Sequence, residues 1–300
     1  MEVAIPPSLA ANVHRFRGAD GSGWIYDLSG IVDELRGRWG LTLGEPFPYS
    51  TINYVAPAER EDGAPCVLKV GFLLDELADE MRALRVCAGS GAVRLLECLP
   101  EKGAMLLERA IPGSDLSVEA DDERACEIGA AAMLGFWRPA SEAPCARTVA
   151  DWARGLERMR RHYRVGGCPI SGDMVARAER TFEEMAQHRD EVLLHGDFHH
   201  FNILRAERAP WLVVDPKGVT GMRAYEVGPF IANRCDRSPD LDRSLSVCLG
   251  SLSRDLGLDR SLLAECTLAH AVLSAWWSIE DGGGCDQAQL KYIEAAARAK

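Results

Sequence analysis

A group of oxygen-bearing side chains in the second half of the chain has the spacing of a catalytic site. Asp197 lies five residues before Asn202, and Asp215 follows the next apolar run. The sequence predicts two short strands, 202–205 and 211–214, joined by a turn, and a hairpin brings its two ends together. We therefore expect Asn202 and Asp215 to be neighbours, with Asp197 on the loop that leads in. Two carboxylates and an amide oxygen are hard ligands that suit Mg²⁺.

The order of these three residues also matches a known catalytic arrangement. Kinases place a catalytic Asp, four intervening residues, a Mg²⁺-binding Asn and then, further downstream, a second Mg²⁺-binding Asp. A single Asp of this kind often only caps a turn or pairs with a base. The complete set is harder to explain in that way, so we expect a phosphoryl-transfer site.

Three histidines in the same stretch allow a second interpretation. His195, His199 and His200 have a spacing that would suit a metal site on a helix. However, Gly196 and the hairpin that follows predict a loop. We expect His195 to brace this loop through hydrogen bonds rather than to bind zinc.

The segment His-Gly-Asp-Phe-His-His-Phe-Asn-Ile-Leu (195–204), with 211–218 and 225–228, resembles the aminoglycoside phosphotransferases. Within them it is most similar to the streptomycin 6-kinase and hydroxyurea phosphotransferase branch. The resemblance implies an α+β, bilobal protein-kinase-like fold with a β-rich N-lobe and a mainly helical C-lobe. It also implies transfer of the ATP γ-phosphate to a hydroxyl of a small molecule. Asp197 would then accept the hydroxyl proton, while Asn202 and Asp215 would hold Mg²⁺.

The same resemblance assigns a nucleotide-binding lysine in the first third of the chain. Lys69, in a strand predicted over 66–70, matches the kinase lysine that contacts the α- and β-phosphates. A half-buried lysine needs an anionic partner, whereas a lysine on an edge strand would face solvent. Glu76 and Glu80 are one turn apart on the helix predicted over 73–86, and Glu80 fits the family pattern better as that partner.

The resemblance also implies other nucleotide contacts, which lie outside the motifs quoted above. Backbone groups near Glu108 and Ala110 would meet adenine, and Ser50 and Thr51 would cover the phosphates. The chain has no G-x-G-x-x-G loop in this region, and Asp215 is followed by Pro-Lys-Gly rather than Phe-Gly. Regulation through a protein-kinase activation loop is therefore not implied.

The acceptor pocket is expected in the C-lobe, where aromatic and acidic residues share a helix face. Trp277 and Asp281 are four residues apart, and with Glu280 they would suit a guanidinium or ammonium group. The alternative is that the tryptophan packs in the core and the acids are solvated. Asp236 is predicted to line the same pocket, although 233–236 also has the character of an ordinary loop.

The elements that must position these residues change in character along the chain. The first part predicts a helix over 24–39, a turn over 56–65 and strands at 47–55, 66–70, 92–98 and 104–107. Beyond 112–113 the pattern predicts helices at 121–137, 149–162, 172–188, 243–256 and 262–279. We therefore expect a nucleotide-binding lobe over 1–109 and a lobe with the catalytic loop and acceptor pocket over 110–300.

Composition excludes several other classes of protein. The 300 residues are 47% hydrophobic and 26% charged, with a net charge of −11, which is ordinary for a globular chain and disfavours nucleic acid or an anionic membrane as partner. The charge is compatible with a cationic small-molecule partner, or with solubility alone. Ten scattered cysteines without a C-x-x-C pair predict a reducing compartment. No leader or membrane span is recognisable, so we expect a cytoplasmic protein.

The acceptor itself stays open at this point. We favour an aminoglycoside of the streptomycin class, with ATP and Mg²⁺ as cofactors. A kinase for hydroxyurea or another metabolite fits the same phosphotransfer residues, because acceptor pockets vary on a constant site. A nucleotide-binding module without catalysis is the third possibility, and the intact set of Lys69, Asp197, Asn202 and Asp215 argues against it.

Overall fold

The computed structural model describes residues 3–48, 51–72, 74–143, 145, 147–188, 191–235 and 238–299. The chain divides into two compact units. The first unit comprises Met1–Gly89 and Val93–Ile111, and the second comprises Ser90–Ala92 and Pro112–Lys300.

The first unit is built on a five-stranded antiparallel sheet in the order β1-β2-β3-β5-β4. Its elements are α1 (Pro7–Trp39), β1 (Leu41–Leu43), β2 (Asn53–Arg60), β3 (Pro65–Gly71), α2 (Leu74–Cys87), β4 (Leu95–Leu99) and β5 (Ala104–Glu108). Successive side chains of a strand point to opposite faces. Cys66, Leu68 and Val70 of β3 join one buried cluster with the apolar side of α1. Lys69 therefore faces the other side of the sheet.

Helix α1 is longer than the sequence predicts. The expected helix over 24–39 begins at Pro7 in the structure, with a non-helical residue, Gly18, inside it. Only Leu9, Val13 and Gly21 are buried in its first half, so the apolar spacing there is too sparse to indicate a helix.

Strand β2 corrects the turn that the sequence predicts over 56–65. The strand continues to Arg60, and the reversal is confined to 60–64, where the Arg60 amide donates to the Ala64 carbonyl. Pro57 misled the prediction because proline usually interrupts a strand. The Pro57 carbonyl accepts the Gly44 amide at 2.8 Å, just beyond the stretch of β2 that pairs with β1. The ring nitrogen faces the same side, so its missing N–H takes no hydrogen bond from the ladder with β3.

The second unit combines two small sheets with a helical core. Its strands are β6 (Pro112–Asp115), β7 (Arg138–Pro139), β8 (Arg147–Thr148), β9 (Glu191–Leu194), β10 (Ile203–Ala206), β11 (Trp211–Val213) and β12 (Val219–Met222). Its helices are α3 (Asp122–Phe136), α4 (Val149–His162), α5 (Gly172–Gln187), α6 (Val227–Cys235), α7 (Leu241–Leu256), α8 (Arg260–Glu280) and α9 (Gln287–Arg298). The sheets have the orders β11-β10-β6 and β7-β9-β12-β8.

Two of these helices, α6 and α9, were not predicted. In α6 the Gly228–Pro229 pair has the composition of a turn, but Pro229 lies in the first turn of the helix, where backbone N–H groups need no helical partner. Consequently 233–235 is helical rather than an ordinary loop.

Helix α8 is the core of the second unit and also its most apolar element. Among the described residues it alone is long and apolar enough to cross a membrane, but 67% of its most apolar window is buried inside the protein. That degree of burial is typical of a central helix in a folded domain.

Candidate active site

The strand pairing brings the predicted catalytic segments side by side. β9 and β12 are antiparallel, with Leu194 opposite Val219. Residues that follow Leu194 therefore lie beside those that precede Val219. These are 195–197 on one strand end and 215–218 on the other.

The hairpin places Asn202 beside the end of β11, as the sequence predicts. β10 and β11 pair with Ile203 opposite Val213, and the Val214 amide donates to the Asn202 carbonyl at 3.0 Å. The Asn202 side-chain amide is 8% exposed and donates to the Asp197 carbonyl at 3.0 Å. Asp197, Asn202 and the segment that carries Asp215 are thus brought together.

Asp215 has an unusual backbone conformation. Its φ of +60° lies in the left-handed region, which non-glycine residues seldom adopt. Such conformations cost on the order of 1–3 kcal/mol and cluster at functional sites. Pro216 follows immediately, so the chain turns sharply where the metal-binding carboxylate is predicted.

A buried carboxylate that the sequence analysis did not assign holds the loop 195–202, which is called the catalytic loop below after its predicted role. Glu226 is fully buried, and its two oxygens accept the backbone N–H groups of His195 at 2.6 Å and Gly196 at 2.8 Å. The Trp137 indole N–H donates to the same side chain at 3.4 Å. Burial raises the pKa of Glu226 to about 7, while these hydrogen bonds lower it. Glu226 belongs to the 225–228 motif, but the motif alone gave no indication of its partners.

His195 braces the loop, in agreement with the sequence interpretation. Its Nε2 lies 2.8 Å from the Val214 carbonyl, and its Nδ1 faces the Asp197 amide at 3.3 Å. Its own carbonyl accepts the Lys217 amide at 2.7 Å. Burial lowers the pKa of His195 to about 4, so the imidazole is neutral at neutral pH. A neutral ring that donates through Nε2 can accept at Nδ1. One side chain therefore joins the segment before Asp215 to the loop that carries Asp197.

The neighbouring histidines do not form a metal site with His195. His200 is buried and stacks on Phe230 with the ring centres 4.3 Å apart. His199 Nε2 lies 3.6 Å from an Asp197 carboxylate oxygen. Within the described parts of the chain, no three His, Cys, Asp or Glu side chains are grouped to hold a metal ion.

The donor set at this place suits Mg²⁺ bound together with a nucleotide. Asn202 and Asp215 supply an amide oxygen and a carboxylate, and the bond from the Asn202 NH₂ to Asp197 fixes which end of the amide is the oxygen. Two protein ligands are too few for a closed metal cage. Mg²⁺ usually takes one or two carboxylates and completes its shell with phosphate oxygens and water.

In the first unit, Lys69 and Glu80 form a buried ion pair. The Nζ of Lys69 lies 2.6 Å from Oε2 of Glu80, and the residues are 4% and 3% exposed. Helix α2 turns Leu77, Glu80 and Leu84 toward the interior at three- and four-residue spacing, which explains why Glu80 rather than Glu76 meets the lysine. A buried ammonium group requires such a partner.

The structure describes the other predicted nucleotide contacts only in part. Glu108 ends β5, where its amide donates to the Arg94 carbonyl at 2.9 Å and its carboxylate accepts the Arg94 amide at 2.9 Å. Ala110 follows in irregular, half-buried structure, and Thr51 is exposed on a bend. Ser50 lies outside the described residues.

An aromatic wall, formed by Trp152 and Trp277, lies in the helical part, and the sequence analysis named only its second ring. Trp277 meets Trp152 of α4 edge to face, with ring centres 5.7 Å apart. Trp152 in turn lies against the catalytic loop, because a β-carbon placed on Gly196 would be 2.6 Å from its ring. Gly196 has a φ of +84° and immediately precedes Asp197. Trp152 therefore lies beside the residue that precedes the predicted base, and Trp277 contacts Trp152.

The predicted acidic residues of the acceptor pocket have different fates. Glu280 receives two hydrogen bonds from Arg158, at 2.6 and 2.9 Å, and this partner lowers its pKa. The bidentate pair compensates its charge within the protein, and its role in the acceptor pocket stays a prediction. Asp281 is exposed at the end of α8. Asp236 lies outside the described residues.

The fold of this chain occurs in solved structures of small-molecule kinases. An aminoglycoside phosphotransferase, APH(4)-Ia, in a ternary complex with ADP and hygromycin B, aligns with a TM-score of 0.63 at 16% identity, over 88% of this chain and 97% of that one. Choline kinase LicA from Streptococcus pneumoniae aligns with a TM-score of 0.62 at 11% identity, over 91% and 98%. These likenesses show a two-lobed, kinase-like fold and confirm the predicted fold class.

The sequence defines the family more narrowly. Residues 38–282 match the model of the aminoglycoside/hydroxyurea antibiotic resistance kinases, and the chain belongs to that family. Streptomycin 6-kinase from Streptomyces glaucescens is 33% identical over 98% of this chain and 97% of its own length. Hydroxyurea phosphotransferase from Kitasatospora aureofaciens is 32% identical over 93% and 82%. The predicted family is confirmed; the chain is an enzyme of the kinase type, and ATP is the cosubstrate that this family implies.

The contacts of Glu226 predict the effect of Glu226→Gln. The amide would turn an N–H group toward a backbone N–H of the loop, which leaves a buried donor without its acceptor. We expect the second unit to lose about 1–3 kcal/mol of stability at pH 8 and phosphoryl transfer to fall with it. Denaturant unfolding and ADP release measure the two effects. Glu123→Gln, on the exposed side of α3, is the control, and equal stability of both variants would contradict the assignment.

Burial of His270 predicts a pH dependence of stability. The ring is 7% exposed, faces the Tyr225 hydroxyl at 3.4 Å, and burial lowers its pKa from 6.5 to about 4. Between these values the unfolded chain binds a proton that the folded chain does not, so stability falls as the pH falls from 6.5 toward 4. We expect His270→Gln to remove about 2–3 kcal/mol of the loss between pH 7 and 4.5. An unchanged slope in His270→Gln would show the prediction to be wrong.

Proposed function

We propose that this enzyme transfers the γ-phosphate of ATP to a hydroxyl of an aminoglycoside of the streptomycin class. The observation that carries the proposal is the contact between the segments 195–202 and 214–217, which brings Asp197, Asn202 and Asp215 together in a chain of this kinase family. The near full-length similarity to a streptomycin 6-kinase supports the substrate class.

The catalytic step follows from the chemistry of the loop. Asp197 accepts the proton of the acceptor hydroxyl while the hydroxyl oxygen forms a bond to the γ-phosphorus. The bond from that phosphorus to the β,γ-bridging oxygen breaks, and ADP is released. His195 and Glu226 keep Asp197 in place through the loop backbone. Asn202 and Asp215 would hold Mg²⁺, which neutralises charge on the phosphates.

Nucleotide binding is proposed for residues 1–109 and acceptor binding for 110–300. Lys69, held by Glu80, would contact the α- and β-phosphates, because the carboxylate keeps the ammonium group in place on the sheet. Thr51, with Ser50, would cover the phosphates. The backbone near Glu108 and Ala110 would meet adenine.

A cationic acceptor is proposed from the wall next to Asp197. The faces and edges of Trp152 and Trp277 offer cation–π contacts to a guanidinium or ammonium group, and Asp281 adds an exposed carboxylate close by on α8. An uncharged acceptor of the hydroxyurea type is the second candidate, favoured by the relative with that name.

We also propose that the enzyme works in the cytoplasm, as the cysteine pattern predicts. All ten cysteines are free thiols, and six of them are buried. Buried free thiols persist in a reducing compartment.

The proposed base predicts the phenotype of Asp197→Ala. Loss of the proton acceptor should reduce kcat for ADP release about 10²–10⁴-fold, while the Kd for ADP changes little. Asp20→Ala, on the exposed part of α1, should match the wild type. Near-wild-type turnover in Asp197→Ala would disprove the mechanism.

The aromatic wall predicts how acceptors are distinguished. An ADP-release screen against streptomycin, other aminoglycosides and hydroxyurea should give its strongest saturable signal with streptomycin. Trp277→Leu should raise KM for streptomycin about tenfold, in proportion to a lost cation–π contact, and leave KM for ATP unchanged. Trp277→Phe keeps an aromatic face and should retain most of the affinity. A signal with hydroxyurea alone would establish the second candidate, and an unchanged KM in Trp277→Leu would remove the wall from the acceptor site.

A further inference from the structure

A lysine that neither the sequence motif nor the family pattern assigned lies between the two carboxylates of the site. The Nζ of Lys217 is 2.9 Å from Oδ2 of Asp215 and 3.9 Å from Oδ2 of Asp197. The first distance is that of a charge-assisted hydrogen bond. The second is too long for a hydrogen bond but within the range of a direct ion pair. One ammonium group therefore faces both the predicted base and the predicted metal ligand.

The position of Lys217 is set by the backbone and not only by its flexible side chain. Its amide donates to the His195 carbonyl at 2.7 Å, which ties it to the catalytic loop. A β-carbon placed on Gly196 would lie 3.3 Å from the Lys217 β-carbon, so the two loops are in contact at this point. The side chain starts from a fixed place and is about one-third exposed, which leaves it accessible to a ligand.

The charge balance of the site indicates what this ammonium group does during the reaction. Phosphoryl transfer depends almost entirely on positioning and on neutralising the oxygens of the transferred group. Those oxygens must approach two carboxylates, Asp197 and Asp215, that repel them. A cation held between the carboxylates removes part of this repulsion. An ammonium group carries three N–H donors, so it can stay on Asp215 and also donate to a phosphoryl oxygen.

We propose that Lys217 is a further catalytic residue, which holds Asp197 and Asp215 in position and contacts an oxygen of the transferred phosphoryl group. The proposal rests on the proposed function of these two carboxylates. Lys217 keeps its three protons throughout: the acceptor proton goes to Asp197, the new bond joins the acceptor oxygen to phosphorus, and ADP departs with the bridging oxygen.

The test separates this role from a structural one by two measurements that should respond differently. In Lys217→Met, kcat for ADP release, with streptomycin or with water as acceptor, should fall about 10²–10³-fold, as for other lost donors to a charged transition state. The Mg²⁺ concentration needed for half-maximal ADP binding, measured by calorimetry, should stay the same or decrease, because a positive charge beside Asp215 is removed.

Two control variants complete the experiment. Lys217→Arg keeps the charge with a different geometry and should recover kcat about tenfold over Lys217→Met. Lys291→Met, on the exposed side of α9, should match the wild type. The inference is overturned if Lys217→Met keeps kcat within threefold of the wild type, or if its kcat and its Mg·ADP binding weaken together. Full turnover in Asp197→Ala would instead refute the proposed function, whatever the lysine variants show.

Discussion

The buried carboxylate of Glu226 is the contact on which the catalytic loop depends. Two adjacent backbone N–H groups, those of His195 and Gly196, point into the interior and need an acceptor there. A charged acceptor forms stronger hydrogen bonds than a neutral one, and its burial is compensated by the three donors that surround it. This interaction sets the start of the loop that ends at Asn202. The geometry of the site therefore depends on a buried residue that need not touch the substrate.

The two units apply the same principle with opposite charges. In the first, the buried ammonium group of Lys69 is matched by Glu80; in the second, a buried carboxylate is matched by backbone donors. Removing one partner of such a pair is far more costly than the net stability the pair contributes, because the other charge stays buried. Both residues are consequently fixed in position, which suits the roles proposed for Lys69 and for the loop that starts at His195.

Much of this arrangement could be predicted from the sequence, because hairpins and helices act over short distances. The neighbourhood of Asn202 and Asp215 followed from a two-strand pattern. Helical spacing on α2 left Glu76 and Glu80 open, and the choice of Glu80 followed from the family resemblance. Contacts between distant segments carry no such local signal. The contact of His195 with Glu226, 31 positions later, and the approach of Trp152 to Gly196 depend on how strands and helices pack in space. The Arg158 partner of Glu280 could not be predicted for the same reason, since the two residues are 122 positions apart.

The Arg158–Glu280 pair has a consequence for how the acceptor range of this enzyme can change. It joins α4 to α8 close to where the same helices present Trp152 and Trp277, so it restrains the two rings relative to each other. Two rings held at a fixed separation favour one ligand shape over others. With the acceptor role proposed for the two rings, a change of acceptor would exchange them for other side chains on an unchanged pair of helices.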